Sequence, residues 1–195
     1  MRVVRSASYT RNAVSASFIA LTLLSVSSAA QKTAAPKTSI KNFGCVSEKF
    51  YRGAQPEGRD YQDLAAIGIK MVIDLQREGE SDEQHLVETA GMKFVRIPMS
   101  DKDWPSPEAA DQFLTLVNNP ANQPVFIHCR GGRHRTGAMT AIYRITNDGW
   151  TADRAFAEMK QYDFEHGYGH GTLRDYVYNY YGRMDHKGVV ADSNK

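Results

Sequence analysis

One cysteine and three arginines lie within ten residues near the middle of the chain, in the segment HCRGGRHRTG at residues 128–137. The apolar segment PVFI precedes it, and AMTAIYRITND, which has helical spacing, follows it. A loop that leaves a buried strand and enters a helix directs free N–H groups at one point, and the helix N-terminus adds partial positive charge there. The segment therefore predicts a binding site for an anion such as phosphate.

The residue types in this segment indicate phosphoryl transfer. Gly131 and Gly132 allow backbone angles that let successive amides curve around an anion. The positive surroundings also favour the thiolate form of Cys129, which is the form that attacks phosphorus. Arg135 can bind two phosphate oxygens with its guanidinium group and hold them through the transition state.

Five neighbouring side chains complete the predicted site. The hydroxyl of Thr136 can donate a hydrogen bond to the sulfur when a phosphocysteine breaks down. We expect His128 to be buried and to orient the loop rather than to transfer a proton. Arg130, Arg133 and His134 add positive charge, which suits a substrate with several phosphates; alternatively, they only raise the general affinity for phosphate.

The order His-Cys, five residues, then Arg-Thr-Gly resembles the signature of the cysteine-dependent protein tyrosine phosphatase superfamily, in particular its compact dual-specificity branch. Residues 119–137 are similar to the active-site segment of plant and fungal atypical dual-specificity phosphatases, some of which remove phosphate from inositol pyrophosphates. The loop also resembles that of phosphoinositide phosphatases, and FYRGAQP at residues 50–56 resembles the family's opening strand and turn. The resemblance covers residues 43–181.

This resemblance implies a hydrolase of phosphate monoesters that acts through a phosphocysteine intermediate, without a metal or other cofactor. Its substrate would be a phosphorylated protein, carrying phosphotyrosine, phosphoserine or phosphothreonine, or a phosphoinositide or inositol phosphate. A silenced relative that only binds phosphorylated ligands is the alternative, but such proteins usually lose the cysteine or the arginine. A rhodanese-type sulfur transferase is a third hypothesis, which the residues around Cys129 disfavour.

The resemblance also implies a general acid, usually an aspartate on a mobile loop, that protonates the leaving group. The matching loop, IPMSDKDWPSPE at residues 97–108, offers Asp101 and Asp103. Of the two, Asp101 is favoured by its position in the loop. Both aspartates can also be solvated turn residues, and atypical members of the family often lack this aspartate. Asp74 and Arg77, near the end of an earlier strand, are further candidates for facing the site.

Strands and helices alternate along the chain as an α/β domain requires. Strands are expected at residues 43–47, 49–54, 69–75, 92–99 and 124–129, and helices at 59–67, 81–90, 107–118, 136–148, 151–162 and 172–181. A capping-box pattern at 81–84 and a Ser-Pro-Glu sequence at 106–108 mark two helix starts. The pattern predicts a single domain with a central, mostly parallel sheet flanked by helices, as in dual-specificity phosphatases, with one face covered more thickly by the last three helices.

The first thirty residues have the pattern of a cleavable signal peptide. They contain a basic start without acids, an apolar run at 13–26 and small residues at 28–30. The apolar run is short for a membrane span of about 20 residues, and an uncleaved anchor is the alternative. We therefore predict export to the periplasm or beyond after a cut following Ala30, a flexible lead-in at 31–42, a phosphatase domain at 43–182 and a tail at 183–195. The mature chain is expected to hold no stable membrane span.

Charge and cysteine content limit the remaining possibilities. Without residues 1–30 the chain has 21 basic and 22 acidic residues, a net charge of −1, which disfavours a nucleic-acid binder. Cys45 and Cys129 are the two cysteines, and a disulfide between them would inactivate the enzyme in an oxidising compartment. His166 and His170 have the spacing of metal ligands on a helix, but the glycines between them disfavour a helix and hence a metal site.

Overall fold

The computed structural model describes residues 38–165, 167 and 169–192. The predicted signal peptide, residues 31–37 of the lead-in, residues 193–195 of the tail and His166 lie outside the described residues. The strands are β1 (Gly44–Ser47), β2 (Phe50–Ala54), β3 (Met71–Gln76), β4 (Lys93–Met99) and β5 (Val125–Cys129). The α-helices are α1 (Asp60–Ala66), α2 (Glu83–Thr89), α3 (Pro107–Asn118), α4 (His134–Asp148), α5 (Ala152–Gln161) and α6 (Gly171–Asp192). None of the helices in this part of the chain is long and apolar enough to cross a bilayer.

The strands form one sheet in the order β1-β2-β5-β3-β4. β1 is antiparallel to β2, whereas the other neighbours are parallel. β5 lies between β2 and β3, so that Ala54 pairs with Cys129, and Asp74 pairs with His128. Because the carboxyl ends of parallel strands meet at one edge, the loops after β2, β3 and β5 surround Cys129. The predicted α/β domain with a mostly parallel sheet is confirmed.

Helices cover the two faces of the sheet unequally. On one face, α3, α4 and α6 bury Phe113, Ile142 and Leu173 completely against the strands. On the other face, α1 and α2 contribute Leu64 and Val87 to a smaller core. Burial of each such side chain is worth about 1.5–3 kcal/mol, so the two cores hold the sheet in place beneath the loops. The expected thicker covering of one face by the C-terminal helices is confirmed.

Local signals explain where several helices begin and end. Ser106 caps α3 by accepting a hydrogen bond from the backbone N of Ala109 at 3.2 Å, as predicted. Gly149 ends α4 in the left-handed region, with φ at 64°. The capping-box prediction for α2 was wrong, because Asp82 is the N-cap without a side-chain hydrogen bond and Glu83 is fully buried.

The ordered domain extends beyond the predicted limits of 43 and 182. Ile40 is buried in the smaller core, and the carbonyl of Lys41 accepts a hydrogen bond from the backbone N of Ala54 at 2.8 Å. These two contacts fix the end of the predicted lead-in against β2. At the other end α6 continues to Asp192, and no proline interrupts that segment.

The proposed disulfide between Cys45 and Cys129 does not fit this sheet. Both thiols are free, with Cys45 exposed on the edge strand β1 and Cys129 buried. Cys45 pairs with Tyr51 and Cys129 with Ala54, which separates the two cysteines by about 10 Å along the strands and about 10 Å across them. Cysteines whose Cα atoms are more than about 7 Å apart cannot be bridged without backbone movement.

Candidate active site

Three successive carbonyl groups of the loop after β5, residues 130–133, accept hydrogen bonds from residues that precede this loop in the chain. The donors are the backbone N of Gln55 to Arg130 at 3.4 Å, the side-chain amide of Asn42 to Gly131 at 2.9 Å and the guanidinium of Arg52 to Gly132 at 2.5 Å. Within a trans peptide the N–H group points opposite to the carbonyl. The amides of residues 131 and 133 therefore point away from these donors, as an anion-binding loop requires.

Gly132 is a position that only glycine can occupy without displacement of the backbone. Its φ is 65°, in the left-handed region. A Cβ atom there would lie 2.5 Å from the carbonyl carbon of Gly53 on β2. Close packing of Gly132 against β2 therefore determines the path of the loop.

Helix α4 begins at the loop and leaves its first turn free to bind a ligand. Its N-cap, Arg133, makes no side-chain cap hydrogen bond. Arg135 donates from Nη1 to the carbonyl of Met99 at 3.3 Å, while its Nε has no hydrogen-bond partner within the described chain. The hydroxyl of Thr136 is fully buried and likewise without a partner there. Both groups are thus free to act as donors at the site.

A cavity of about 280 Å³ brings together most of the predicted residues. It is lined by Asp101, Cys129, Arg130, Gly131, Arg133, His134, Arg135 and His170. Asp103 does not line it, but is exposed and lies 3.9 Å from Arg77. Of the two candidate acids, Asp101 is therefore the one that the fold places beside Cys129.

Arg130 also borders two further cavities on either side of the first. One, of about 240 Å³, contains Arg77 and shares Asp101 and Arg135 with the central cavity. The other, of about 670 Å³, contains Lys41. The cysteine cavity thus adjoins two spaces that each hold an additional cation together with carboxylates, Glu78 in the Arg77 cavity and Glu57 and Asp60 in the Lys41 cavity.

His134 does not supply the positive charge that we predicted for it. Burial, together with the neighbouring His170 and Arg133, lowers the pKa of His134 to about 4, so the ring is neutral near pH 7. Its ring stacks on that of His170 with 3.7 Å between the centroids. Nδ1 of His170 lies 3.1 Å from the carbonyl oxygen of Asp101.

A buried polar network lies beneath Cys129. His128 is fully buried, and its Nε2 lies 2.9 Å from Oε1 of Glu83. Burial alone would raise the pKa of Glu83, but its contacts with His128, Gln55 and Arg96 outweigh burial and lower the pKa. These contacts give His128 the surroundings of a residue that orients the loop, the role predicted for it.

Asp74 belongs to this network and does not face the cavity. Its Oδ2 accepts a hydrogen bond from Nε of Arg96 at 2.7 Å, and its Oδ1 accepts one from the backbone N of Gln76. Together with Glu83 and His128 it forms a cluster of the size that can hold a metal ion. Arg96 already contacts both carboxylates, at 2.7 and 3.5 Å, so a side chain of the protein compensates part of their charge.

Sequence reasoning missed several residues that support the site. Glu83 lay within a pattern attributed to helix capping, and Asn42 lay in the segment assigned to the lead-in. Arg52 had a detectable signal, because strand alternation places it on the same face of β2 as the buried Phe50. A charged residue at such a position indicates a specific role.

Comparisons with known proteins identify the family of this chain. A family model described as "DSP-PTPase phosphatase fused to NAD+ Kinase" matches residues 30–172. The "Probable tyrosine-protein phosphatase DG1060" of Dictyostelium discoideum is 29% identical over 126 residues, which are 62% of this chain and 75% of that protein. The "Inositol diphosphatase SIW14" of Saccharomyces cerevisiae is 29% identical over 130 residues, 64% of this chain but only 46% of the yeast protein.

The fold is also shared with a solved structure. The crystal structure of the core catalytic domain of the yeast PP-IP phosphatase SIW14 superimposes with a TM-score of 0.65 and 24% sequence identity. The superposition covers 80% of this chain and 94% of that domain. At this level of identity the likeness establishes the fold alone.

Proposed function

The chain belongs to the PTP-NADK family of DSP-PTPase phosphatases, and from this premise we propose that it hydrolyses phosphate monoesters at Cys129 in substrates that carry more than one phosphate. The protein is a hydrolase of the cysteine-based phosphatase class, like its named relatives. The observation that carries the proposal is the position of Arg130, which borders the Cys129 cavity and both flanking cavities.

The first step forms a phosphocysteine. Sγ of Cys129 attacks the phosphorus, and the bond to the leaving oxygen breaks, with its electron pair passing to that oxygen. Asp101, which lines the same cavity, donates a proton to the leaving oxygen. Arg135 and the loop amides bind the three non-bridging oxygens, whose charge persists through the transition state.

The second step releases phosphate. Water attacks the phosphorus, Asp101 accepts a proton from that water, and the electron pair of the S–P bond returns to the sulfur. The hydroxyl of Thr136, which has no partner in the described structure, donates a hydrogen bond to the departing thiolate. No step requires a group beyond these side chains, the loop amides and water.

The flanking cations favour a substrate with several phosphate groups. When one phosphate lies at Cys129, a second can reach Arg77 on one side or Lys41 on the other, and Arg130 can contact each. Exposed Glu57, in the Lys41 cavity, can accept hydrogen bonds from hydroxyl groups. A ring that carries both phosphates and hydroxyls, such as an inositol polyphosphate or a phosphoinositide head group, matches this combination.

The relatives support both this substrate class and its alternative. One is named an inositol diphosphatase and another a tyrosine-protein phosphatase. For a phosphotyrosine protein, Arg77 and Lys41 would only raise the general affinity for phosphate.

The test is phosphate release by the reduced full chain without added metal. The panel holds an inositol polyphosphate, a phosphoinositide, a phosphotyrosine peptide and a phosphothreonine peptide, with Cys129→Ser as the inactive control. We expect the inositol compounds to have a kcat/KM about tenfold or more above that of the peptides, because each additional charged contact is worth about 1–3 kcal/mol.

Two single substitutions test whether the flanking cations cause this preference for inositol compounds. Arg77→Ala and Lys41→Ala should each reduce the preference, while Lys70→Ala, at an exposed lysine just before β3 that borders none of the three cavities, should not. Equal kcat/KM values for peptides and inositol compounds would contradict the substrate class. Turnover that survives Cys129→Ser would contradict the mechanism, and absence of any Cys129-dependent turnover would favour a silenced binding protein.

We also propose that the protein is exported. Support comes from the basic start, apolar run and small residues within positions 1–30. N-terminal sequencing of the protein recovered from the periplasm or the medium should give Gln31 as the first residue. Recovery of the intact chain from the membrane fraction would instead indicate an uncleaved anchor.

A further inference from the structure

Arg52 is a buried cation directly beneath residues 130–133, which we call the phosphate-binding loop. Its side chain projects from β2 and is 0% exposed to solvent. Nη2 donates a hydrogen bond to the carbonyl of Gly132 at 2.5 Å. Nε and Nη1 have no hydrogen-bond partner within the described residues, and no carboxylate among them forms an ion pair with Arg52. The guanidinium is therefore only partly satisfied by the protein.

Its surroundings compensate this charge incompletely. The guanidinium carbon lies 3.9 Å from the centroid of the Tyr162 ring, which is a favourable cation–π contact. Burial lowers the pKa of Arg52 to about 10, so the side chain is still protonated near neutral pH. Buried charges in proteins are normally paired. The carboxylate of Glu158 acts on Arg52 from a distance but forms its ion pair with Arg144, so an anion bound at the loop would compensate charge that the protein leaves unpaired.

The position of Arg52 is consistent with that role. Arg52 pairs with Ile127 in the sheet, two residues before Cys129. Its hydrogen bond reaches Gly132, whose left-handed conformation directs the loop. Arg52 thus joins the strand beneath the site to the loop above it, and its charge acts on the cavity across a medium from which water is excluded.

We propose that Arg52 is a positioning residue whose positive charge, acting through the loop it supports, stabilises the anion bound above Cys129. This inference rests on the proposed function, because it assumes that the loop binds a phosphate-like anion. It assigns to Arg52 no contact with the substrate. The effect is exerted through Gly132 and through the electrostatic field of the buried guanidinium.

The test measures binding of tungstate, a phosphate-like oxyanion, to the full chain carrying Cys129→Ser. Titration calorimetry compares this protein with versions that also carry Arg52→Met or Arg52→Lys. We expect Arg52→Met to weaken tungstate binding by about tenfold or more, because it removes both the buried charge beneath the loop and the hydrogen bond to the Gly132 carbonyl. Arg52→Lys, which keeps the charge, should restore most of the affinity.

Controls separate this role from a purely structural one. Lys70→Met removes an exposed lysine just before β3, at the opposite end of that strand from the loops around Cys129, and should leave the tungstate affinity unchanged. If Arg52→Met does not fold, Arg52→Gln keeps a donor for the Gly132 carbonyl without the charge and should show the same weakening. Unchanged affinity in a folded Arg52→Met or Arg52→Gln variant, or Arg52→Lys binding as weakly as Arg52→Met, would overturn the proposal.

The outcome is independent of turnover. Tungstate binding that depends on Arg52 would support the inference even if no substrate of the panel were hydrolysed. In contrast, a parent protein that turns over phosphate esters and binds tungstate independently of the charge at Arg52 would refute the inference and leave the proposed function in place.

Discussion

His170 connects the loop of the candidate general acid to the phosphate-binding loop. Its Nδ1 lies 3.1 Å from the carbonyl oxygen of Asp101, and its ring stacks on that of His134 at an interplanar angle of 12°. Asp101 follows β4 and His134 begins α4, so the imidazole of His170 contacts both of these segments at the cavity. Donation to a carbonyl requires the proton on Nδ1 of His170. This link could not be predicted from the sequence, because His170 lies 41 residues after Cys129.

Loss of the His170 hydrogen bond should impair protonation of the leaving group. His170→Phe retains an aromatic ring for the stack but cannot bind the Asp101 carbonyl. We expect kcat for an alkyl phosphate, whose leaving group needs a proton, to fall about tenfold more than kcat for p-nitrophenyl phosphate, because general acids contribute about 10²–10⁴ where they are needed. His85→Phe, at an exposed histidine of α2, is the control. An equal loss with both substrates would show that His170 only stabilises the fold.

The two candidate acids can be distinguished by the same pair of substrates. Asp101→Asn should reduce kcat for the alkyl phosphate by about 10²-fold or more and affect p-nitrophenyl phosphate much less. Asp103→Asn should leave both rates within about twofold, because Asp103 is exposed and outside the cavity, and surface changes of this kind have small effects. Stopped-flow or steady-state measurements across pH 5–8 provide the comparison. A larger effect from Asp103 than from Asp101 would reverse the assignment.

The low pKa of His134 predicts that the protein is destabilised by acid before its carboxylates are protonated. The folded-state value is about 4, below the ordinary value of about 6.5. Between these values the unfolded chain binds a proton that the folded chain does not, so the free energy of unfolding falls as pH is lowered from about 6.5 to 4. The full stability contribution is present above pH 6.5.

Urea unfolding at several pH values measures this effect. Besides burial, the groups that act most on His134 are His170, Arg133, Asp101 and Glu165. Cys129, Arg130 and Arg135 line the same cavity, and none of these residues is changed in His134→Asn. That variant should lose less stability than the parent between pH 7 and pH 4.5. His85→Asn, at the exposed histidine, should follow the parent. Parallel curves for the parent and His134→Asn would show that the ring titrates normally in the folded protein.

The fold could be predicted from sequence because its signals are local. Apolar strands such as β3 and β5 are continuous, and Ser106 and Pro107 mark the start of α3 unambiguously. The phosphate-binding loop was predictable for the same reason, since its chemistry is contained in ten consecutive residues. For the general acid, the sequence offered two neighbouring aspartates and favoured Asp101 by its position in the loop.

The supporting residues could not be predicted because their partners are remote in sequence. Asn42 reaches Gly131 across 89 residues and Arg52 reaches Gly132 across 80. Glu83 lies near Ser81 in a pattern that satisfies the capping-box rule, and only the tertiary structure shows that it is buried beside His128. The charge state of His134 also depends on a remote residue, His170.

The two adjacent glycines of the phosphate-binding loop offer a matched pair of substitutions. At Gly132 an alanine would require a left-handed φ of 65° and would place its Cβ 2.5 Å from the backbone of Gly53. At Gly131 the nearest atom to such a Cβ is 3.6 Å away, on the flexible side chain of Arg133. The loop must therefore move in Gly132→Ala, whereas Gly131→Ala has room for the methyl group.

We expect Gly132→Ala to reduce kcat/KM by about 10²-fold or more, because a displacement of about 1 Å at a reacting centre has effects of that size. Gly131→Ala should retain activity within about tenfold, with the loss arising from the altered backbone freedom of the loop. Steady-state kinetics with p-nitrophenyl phosphate gives both values, and thermal unfolding shows whether each variant is folded. Comparable activity in the two variants would mean that the loop tolerates a shift away from β2, and that contact with Gly53 does not determine the geometry at Cys129.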